Sequence, residues 1–167
     1  MSRLRVAVIS DTHSPRHWKG CPDGVARRIS GADLILHAGD VCRRETLEEL
    51  EQFAPVHAVL GNNDGPDVAA WGAPEVLELD LDGLAVAMLH DSGAAPGRGR
   101  RLRRRFPDAD LVVFGHSHIP WDEVTDGQRA FNPGSPTDKR RQPPGTLGEL
   151  VVEDGVLVTA RIVPVTP

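Results

Sequence analysis

Apolar residues in the first third of this chain come in short unbroken runs. LRVAVIS (residues 4–10), LILHAG (34–39) and VHAVLG (56–61) are too short for helices and apolar at successive positions. That is the pattern of strands buried on both faces. The stretches between them read as helices. Asp23 is placed to cap a short one running to about Ile29, with Gly31 just past its end. Thr46 with Glu49 resembles a capping box opening TLEELEQF, where Leu47 and Leu50 recur at i, i+3. Alternating strand and helix predicts βαβ units and a mostly parallel sheet.

Past residue 75 the runs come in pairs. EVLELDLDGLAVAML, WDEVTDGQRAFN and ELVVEDGVLVTARIV each place Asp-Gly between two alternating apolar stretches. Asp-Gly supplies the two left-handed residues of a tight hairpin turn, so three hairpins are predicted, at Asp82-Gly83, Asp126-Gly127 and Asp154-Gly155. They suggest a second, largely antiparallel sheet packed on the first. Residues 98–106 read as a helix and LVVFG (111–115) as another buried strand. The segments 14–20 and 66–74 read as loops.

Composition narrows the class. At 167 residues, with 40% hydrophobic and 26% charged positions, one soluble domain spanning residues 1–167 is expected. The formal net charge of −5 argues against nucleic acid or an anionic membrane as partner. The apolar run near the N-terminus spans about five residues, short of the roughly 7–15 of a signal-peptide core. No stretch nears the roughly 20 apolar residues of a membrane span. Cys21 and Cys42 make no disulfide framework. A cytoplasmic protein with reduced thiols is expected, and oligomeric state is not legible.

The polar residues gather where the predicted strands stop. The first ends in Ser10-Asp11-Thr12-His13, the second in Gly39-Asp40, and the third in Gly61-Asn62-Asn63-Asp64. The strand LAVAML ends in His90-Asp91, and VVFGHSHIP delivers His116 and His118. In an extended chain those last two imidazoles point to the same face. Singly, each is ordinary turn chemistry or a structural histidine. Together they are five strand ends that all deliver an Asp, Asn or His, and in open α/β sheets ligands bind at strand carboxyl ends. Seven ligand functions exceed the needs of one tetrahedral ion. Two metals sharing one carboxylate use them naturally, with Asp40 as the bridge. Mixed imidazole, carboxylate and amide ligation suits manganese, iron, zinc, cobalt or nickel.

D-x-H, GD, GN-x-D, a lone H and GHSH, in this order and spacing, resemble the calcineurin-like metallophosphoesterase superfamily. VAVISDTH, LILHAGDV, VLGNND and FNPGSP are similar to its small prokaryotic phosphodiesterase branch, to which the retromer scaffold subunit is related. The resemblance covers about residues 4–160. It implies an α/β (α+β) four-layer αββα sandwich of two mixed β-sheets, with a metal site at the C-terminal ends of the strands. It also implies that Asp11, His13 and His118 bind one ion, that Asn62, His90 and His116 bind another, and that Asp40 bridges. Asp40, Asn62 and His90 would be catalytic. The implied cofactors are two divalent ions, with manganese the leading candidate. The implied reaction is hydrolysis of a small phosphodiester or nucleotide by in-line attack of a metal-bridging hydroxide. A non-catalytic interaction scaffold and a nuclease are the rival readings.

One position departs from the pattern. Asn63 stands where many superfamily members have a histidine that protonates the leaving group, and an amide has no acidic proton to give. Good leaving groups or phosphodiesters are therefore expected over alkyl monoesters. His17 is a candidate substitute acid, although a loop histidine is the plainer expectation. His37 and His57 read as structural, the arginine run 98–105 as a solvated helix face, and Cys42 as packing. Arg43, Arg44 and Arg140 follow strand-end loops as candidate phosphate clamps.

Overall fold

The computed structural model describes residues 2–166. Ten strands build two five-stranded sheets. The first has the order β10 (Val156–Val165), β9 (Gly145–Glu153), β1 (Arg3–Ile9), β2 (Leu34–His37), β3 (Val56–Ala58). The second runs β4 (Val76–Leu81), β5 (Leu84–Leu89), β6 (Leu111–Val113), β8 (Gln128–Asn132), β7 (Trp121–Thr125). In both sheets three central or adjoining strands are parallel: β1, β2 and β3 in one, β5, β6 and β8 in the other. Antiparallel hairpin arms complete each sheet.

Strand alternation sorts the apolar side chains into layers. Val6 and Val8 of β1 meet Val86 and Met88 of β5, Leu111 and Val113 of β6 and Phe131 of β8 between the sheets. Ala7 and Ile9 face the other way, onto Val25 and Ile29 of α1 (Asp23–Ile29) and Leu50 of α2 (Arg44–Glu51). Leu47 of α2 packs with Val68 of α3 (Pro66–Trp71). On the far side, Ala87, Leu89 and Val112 pack on Leu102 of α4 (Arg98–Arg105). The result is four layers, αββα. Each fully buried Val, Leu or Ile contributes about 1.5–3 kcal/mol of hydrophobic stabilisation, offset by the entropy of ordering the chain.

All three Asp-Gly hairpins form, with both turn residues left-handed: φ of 53° and 104° at Asp82-Gly83, 46° and 81° at Asp126-Gly127, and 49° and 80° at Asp154-Gly155. The third hairpin does not join the second sheet. Its β9 arm pairs antiparallel with β1. Turn chemistry fixes a hairpin but not which sheet edge receives it. The second sheet is correspondingly half parallel.

The expected helix starts also shift. Asp23 is the first helical residue of α1, with Pro22 before it, and no side chain caps that end. Helix α2 begins at Arg44, two residues ahead of Thr46, so Thr46 and Glu49 form no capping box. Instead the Arg44 amide donates to Asp67 Oδ2 (3.1 Å), a cap supplied by α3. Thr46 hydrogen-bonds Ser14, while Glu49 accepts from Trp18 Nε1 (2.7 Å) and the Cys21 amide (3.0 Å). Partners in the loop 14–21 were better placed than the helix's own amides. Helix α3 occupies a stretch expected to be loop, and opens with proline at its first position.

Candidate metal centre

The carboxyl ends of β1, β2, β3, β5 and β6 meet at one rim, because the parallel strands of the two sheets bring these ends together. Two links join the sheets there: the His116 amide donates to Asp11 Oδ2 (3.0 Å), and His90 Nδ1 to the Ala38 carbonyl (2.7 Å). The sheets approach this closely because residue 115 is glycine. A Cβ there would overlap Ser10 and Asp11. Within the first sheet, a Cβ at Gly61 would likewise overlap Asp40.

Asp11, His13 and His118 form one group whose ligand-capable atoms lie within 4.8 Å of one another, and Asp40, His90 and His116 form a second. Between them, His13 Nε2 is 3.6 Å from Asp40 Oδ2, and His90 Nε2 is 3.2 Å from Asp40 Oδ2 and 3.7 Å from Asp11 Oδ1. His118 Nε2 lies 3.5 Å from Asp11 Oδ1. Asn62 Oδ1 sits 3.2 Å from His116 Nδ1, at the exposed edge. All seven residues singled out in the sequence thus fall on one rim.

The two imidazoles of VVFGHSHIP do not share a face as an extended chain would require. The strand stops at Val113, and His116 and His118 take left-handed backbone, φ 72° and 63°. The His118 ring is buried and the His116 ring exposed. Asp11, His13, Asp40 and Cys42 are left-handed too, at 58°, 48°, 57° and 73°. Such conformations cost on the order of 1–2 kcal/mol each outside glycine, and they cluster at functional sites.

Backbone carbonyls fix the imidazole tautomers. His90 Nδ1 donates to the Ala38 carbonyl (2.7 Å), and His118 Nδ1 to the Asp138 carbonyl (2.6 Å). Each Nε2 is left with a lone pair aimed into the cluster, as in a metal-ligating histidine whose other nitrogen donates to a carbonyl. His13 Nε2 and His118 Nε2 stand 3.2 Å apart. Asp11 Oδ1 and His90 Nε2 are buried with no hydrogen-bond partner. Orphaned buried polar atoms of this kind call for an ion. The donor set is what a divalent cation takes.

The electrostatics are those of a carboxylate pair among imidazoles. Asp11, then Cys42 and Asp40, raise His13 to about 10. Burial pushes Asp40 up, but the His90 imidazole 3.2 Å away and the hydrogen bonds from Asn63 outweigh it and hold its carboxyl well below the usual range. Burial depresses His90, and the Asp40 and Asp11 carboxylates reverse this and raise it. Burial pushes His118 down.

Several supporting residues lay outside the sequence reading of the site. Asp64 accepts amides from Asp40 (2.9 Å), Cys42 (2.7 Å) and Gly61 (2.8 Å), clamping two strand-end loops with one carboxylate. Ser135, past β8, donates to the Asp11 carbonyl (2.8 Å), and Thr137 to the Thr12 carbonyl (3.0 Å). The signal for Asp64 was the last residue of GN-x-D, and for Ser135 it was FNPGSP, a sixth strand end of the same type. Asn63 points at the site, its amide and its Nδ2 donating to the two oxygens of Asp40 (2.8 and 2.9 Å). Cys42 is more than packing, since its Sγ lies 3.8 Å from His13 Nδ1. His17 is exposed, 3.6 Å from Asp138 Oδ2. His37 is fully buried and structural, whereas His57 is exposed.

A sequence profile of the calcineurin-like phosphoesterase superfamily domain matches residues 4–155. A probable metallophosphoesterase of Methanothermobacter thermautotrophicus is 32% identical over 96% of this chain and 92% of its own. Among solved structures, an archaeal phosphodiesterase superposes with a TM-score of 0.75 at 21% identity, covering 97% of this chain and 100% of that one. Zinc-complexed Vps29 of Entamoeba histolytica superposes at 0.72 and 23%, covering 96% and 99%. At such identities the two structures speak for the fold alone.

Proposed function

This chain belongs to the calcineurin-like phosphoesterase superfamily, and we propose that it is a two-metal phosphodiesterase. Its metallophosphoesterase relatives make it a hydrolase acting on phosphoesters. The observation that carries the finer reading is the pair of three-residue clusters around Asp40, with Asp11 Oδ1 and His90 Nε2 buried and unpartnered. Asp11, His13 and His118 hold one divalent ion, Asn62, His90 and His116 the other, and Asp40 serves both. Manganese leads the candidates, with zinc, nickel, iron and cobalt behind it. Bound there, two such ions supply positive charge to the phosphoryl oxygens and lower the pKa of coordinated water toward neutrality.

The chain's own part is to hold these atoms still. The carbonyls of Ala38 and Asp138 lock two imidazoles, Asp64 pins the Asp40 loop, and Ser10 donates to Asp11 Oδ2 (2.7 Å). Asn63 donates to Asp40 from its backbone amide and from Nδ2, and has no acidic proton for a departing alkoxide. Missing general-acid help is worth about 10²–10⁴-fold. An aryl phosphodiester is therefore expected to react at least about a hundredfold faster than an alkyl monoester, and similar rates would refute this. The substrate is a small phosphodiester or nucleotide, acted on by a single domain in the cytoplasm.

The test is hydrolysis of bis(p-nitrophenyl) phosphate by metal-stripped protein, with manganese, nickel or zinc restored, beside Asp40→Asn. Turnover should require metal and fall at least about a hundredfold in the variant. No turnover with any metal, from protein shown to bind two ions, would leave a metal-binding interaction scaffold in its place.

A further inference from the structure

The candidate metal centre has a pocket on either side, and the two differ in charge. Beyond His118 lies a cavity of about 310 Å³ lined by Ile119, Lys139, Arg140 and Arg141, with no carboxylate in its wall. Beyond Asn62 and His90 lies one of about 410 Å³, where Asp64, Glu75 and Asp91 outnumber a single cation, Arg105.

The basic wall is built by a held loop. Ser135 Oγ accepts the Asp138 amide (2.8 Å), the Gln142 amide donates to the Lys139 carbonyl (3.0 Å), and Lys139 Nζ returns to the Gln142 carbonyl (3.1 Å). Arg140 takes left-handed backbone, φ 52°. The nearby Asp138 carboxylate lies 3.6 Å from His17 Nε2, and the Asp138 backbone carbonyl takes the His118 Nδ1 hydrogen (2.6 Å). Five other arginines pair with carboxylates, Arg3 with Glu153, Arg28 and Arg161 with Glu149, Arg44 with Glu48 and Arg129 with Asp122, and Arg98, Arg101 and Arg103 donate to backbone carbonyls. Among the described residues, Arg140 and Arg141 have no such partner. Two planar guanidinium groups beside a phosphate-cleaving centre match a second phosphate, which they can take bidentately. Ile119, exposed on the same wall, offers an apolar contact to the organic part that carries it.

We propose that the substrate is asymmetric, with a second phosphate seated on Arg140 and Arg141 and an uncharged or cationic group on the His90 side. The class is a nucleotide or other small phosphoester carrying two phosphates on one organic body. This deepens the phosphodiesterase reading and rests on it.

The test is calorimetric binding of adenosine 3′,5′-bisphosphate and of adenosine 5′-monophosphate to manganese-loaded protein, for wild type, R140A/R141A and R140K/R141K. Wild type should prefer the bisphosphate by at least about tenfold, the alanine variant should lose that preference, and the lysine variant should recover part of it. Metal content and circular dichroism of each variant establish that the centre and the fold are intact. Equal affinity for the two nucleotides in wild type, or an unchanged preference in the alanine variant, overturns the proposal. Hydrolysis of bis(p-nitrophenyl) phosphate by wild type is read separately. Its absence would refute the phosphodiesterase activity and leave the binding comparison to speak for the pocket.

Discussion

Asp11, His13, Asp40, His116 and His118 are held in left-handed backbone by what surrounds them, not by local preference. Turn-forming Asp visits that region readily, so at Asp82, Asp126 and Asp154 an Asp-Gly pair announces the conformation. A histidine announces nothing of the kind. His37 shows a different residue-scale effect. Its Nδ1 accepts the Gly39 amide (3.2 Å), so Nε2 carries the proton and donates to Thr12 Oγ1 (3.1 Å). Burial lowers it from 6.5 to about 4. The unfolded chain therefore binds a proton between those values that the folded chain refuses, and stability falls as pH drops through that window. In metal-free protein the loss attributable to His37 from pH 7.5 to pH 5 is about 2 kcal/mol. Urea unfolding at the two values measures the total, and titration of the His37 ring by NMR identifies its share. A His37 midpoint near 6.5 would remove this contribution.

At the scale of elements, helix α4 carries the arginine run 98–105, expected as a solvated face. Arg100 and Arg104 fit that expectation, being exposed. Arg98 does not. Only 7% exposed, its guanidinium lies 4.7 Å from the Phe114 ring centroid and 4.6 Å from that of Trp121, and it donates to the Gly93 carbonyl (3.1 Å). Arg101 donates to the carbonyls of Ser92 (3.1 Å), Ala94 and Pro96 (2.7 Å). The helix is therefore bolted to the loop that follows His90. Aromatic partners were missing from the run itself and came from β7 and the end of β6, which is why the sequence pattern favoured solvent. Arg98→Ala should destabilise by about 2 kcal/mol through lost stacking and packing, and Arg98→Lys should recover little because it cannot stack as a plane. Chemical denaturation of the three proteins measures this. Equal midpoints would mean the stacked guanidinium contributes nothing net.

The whole molecule is two sheets sharing one apolar layer, from Val6 and Val8 to Phe131 and Val152. A layer built from both sheets predicts one cooperative unfolding transition, observable as coincident curves from different probes. The centre is likewise assembled from both sheets, so ions that bind it favour the folded state. At a free metal concentration 100 times the dissociation constant, one ion adds about 2.7 kcal/mol, a rise of roughly 5–10 °C in Tm for a chain of this size. Thermal scans with and without manganese, using Asp40→Asn as control, test this. A Tm indifferent to metal in the wild type would count against the centre as drawn.

The sequence by itself determined most of the strands, three hairpin turns and the seven side chains of the candidate centre, because those features are local. Apolar runs, Asp-Gly pairs and polar strand ends sit within a few residues of one another. Only the tertiary structure decided which sheet takes the β9–β10 hairpin, that Asp67 caps α2 from α3, and that Asp64 and Ser135 steady the ligand loops. It also decided that Arg98 is buried and that Arg140 and Arg141 face the centre's open side. Each of these depends on groups far apart in the chain, chosen by what the packed sheets and helices bring into contact, and no periodicity along the sequence records that choice.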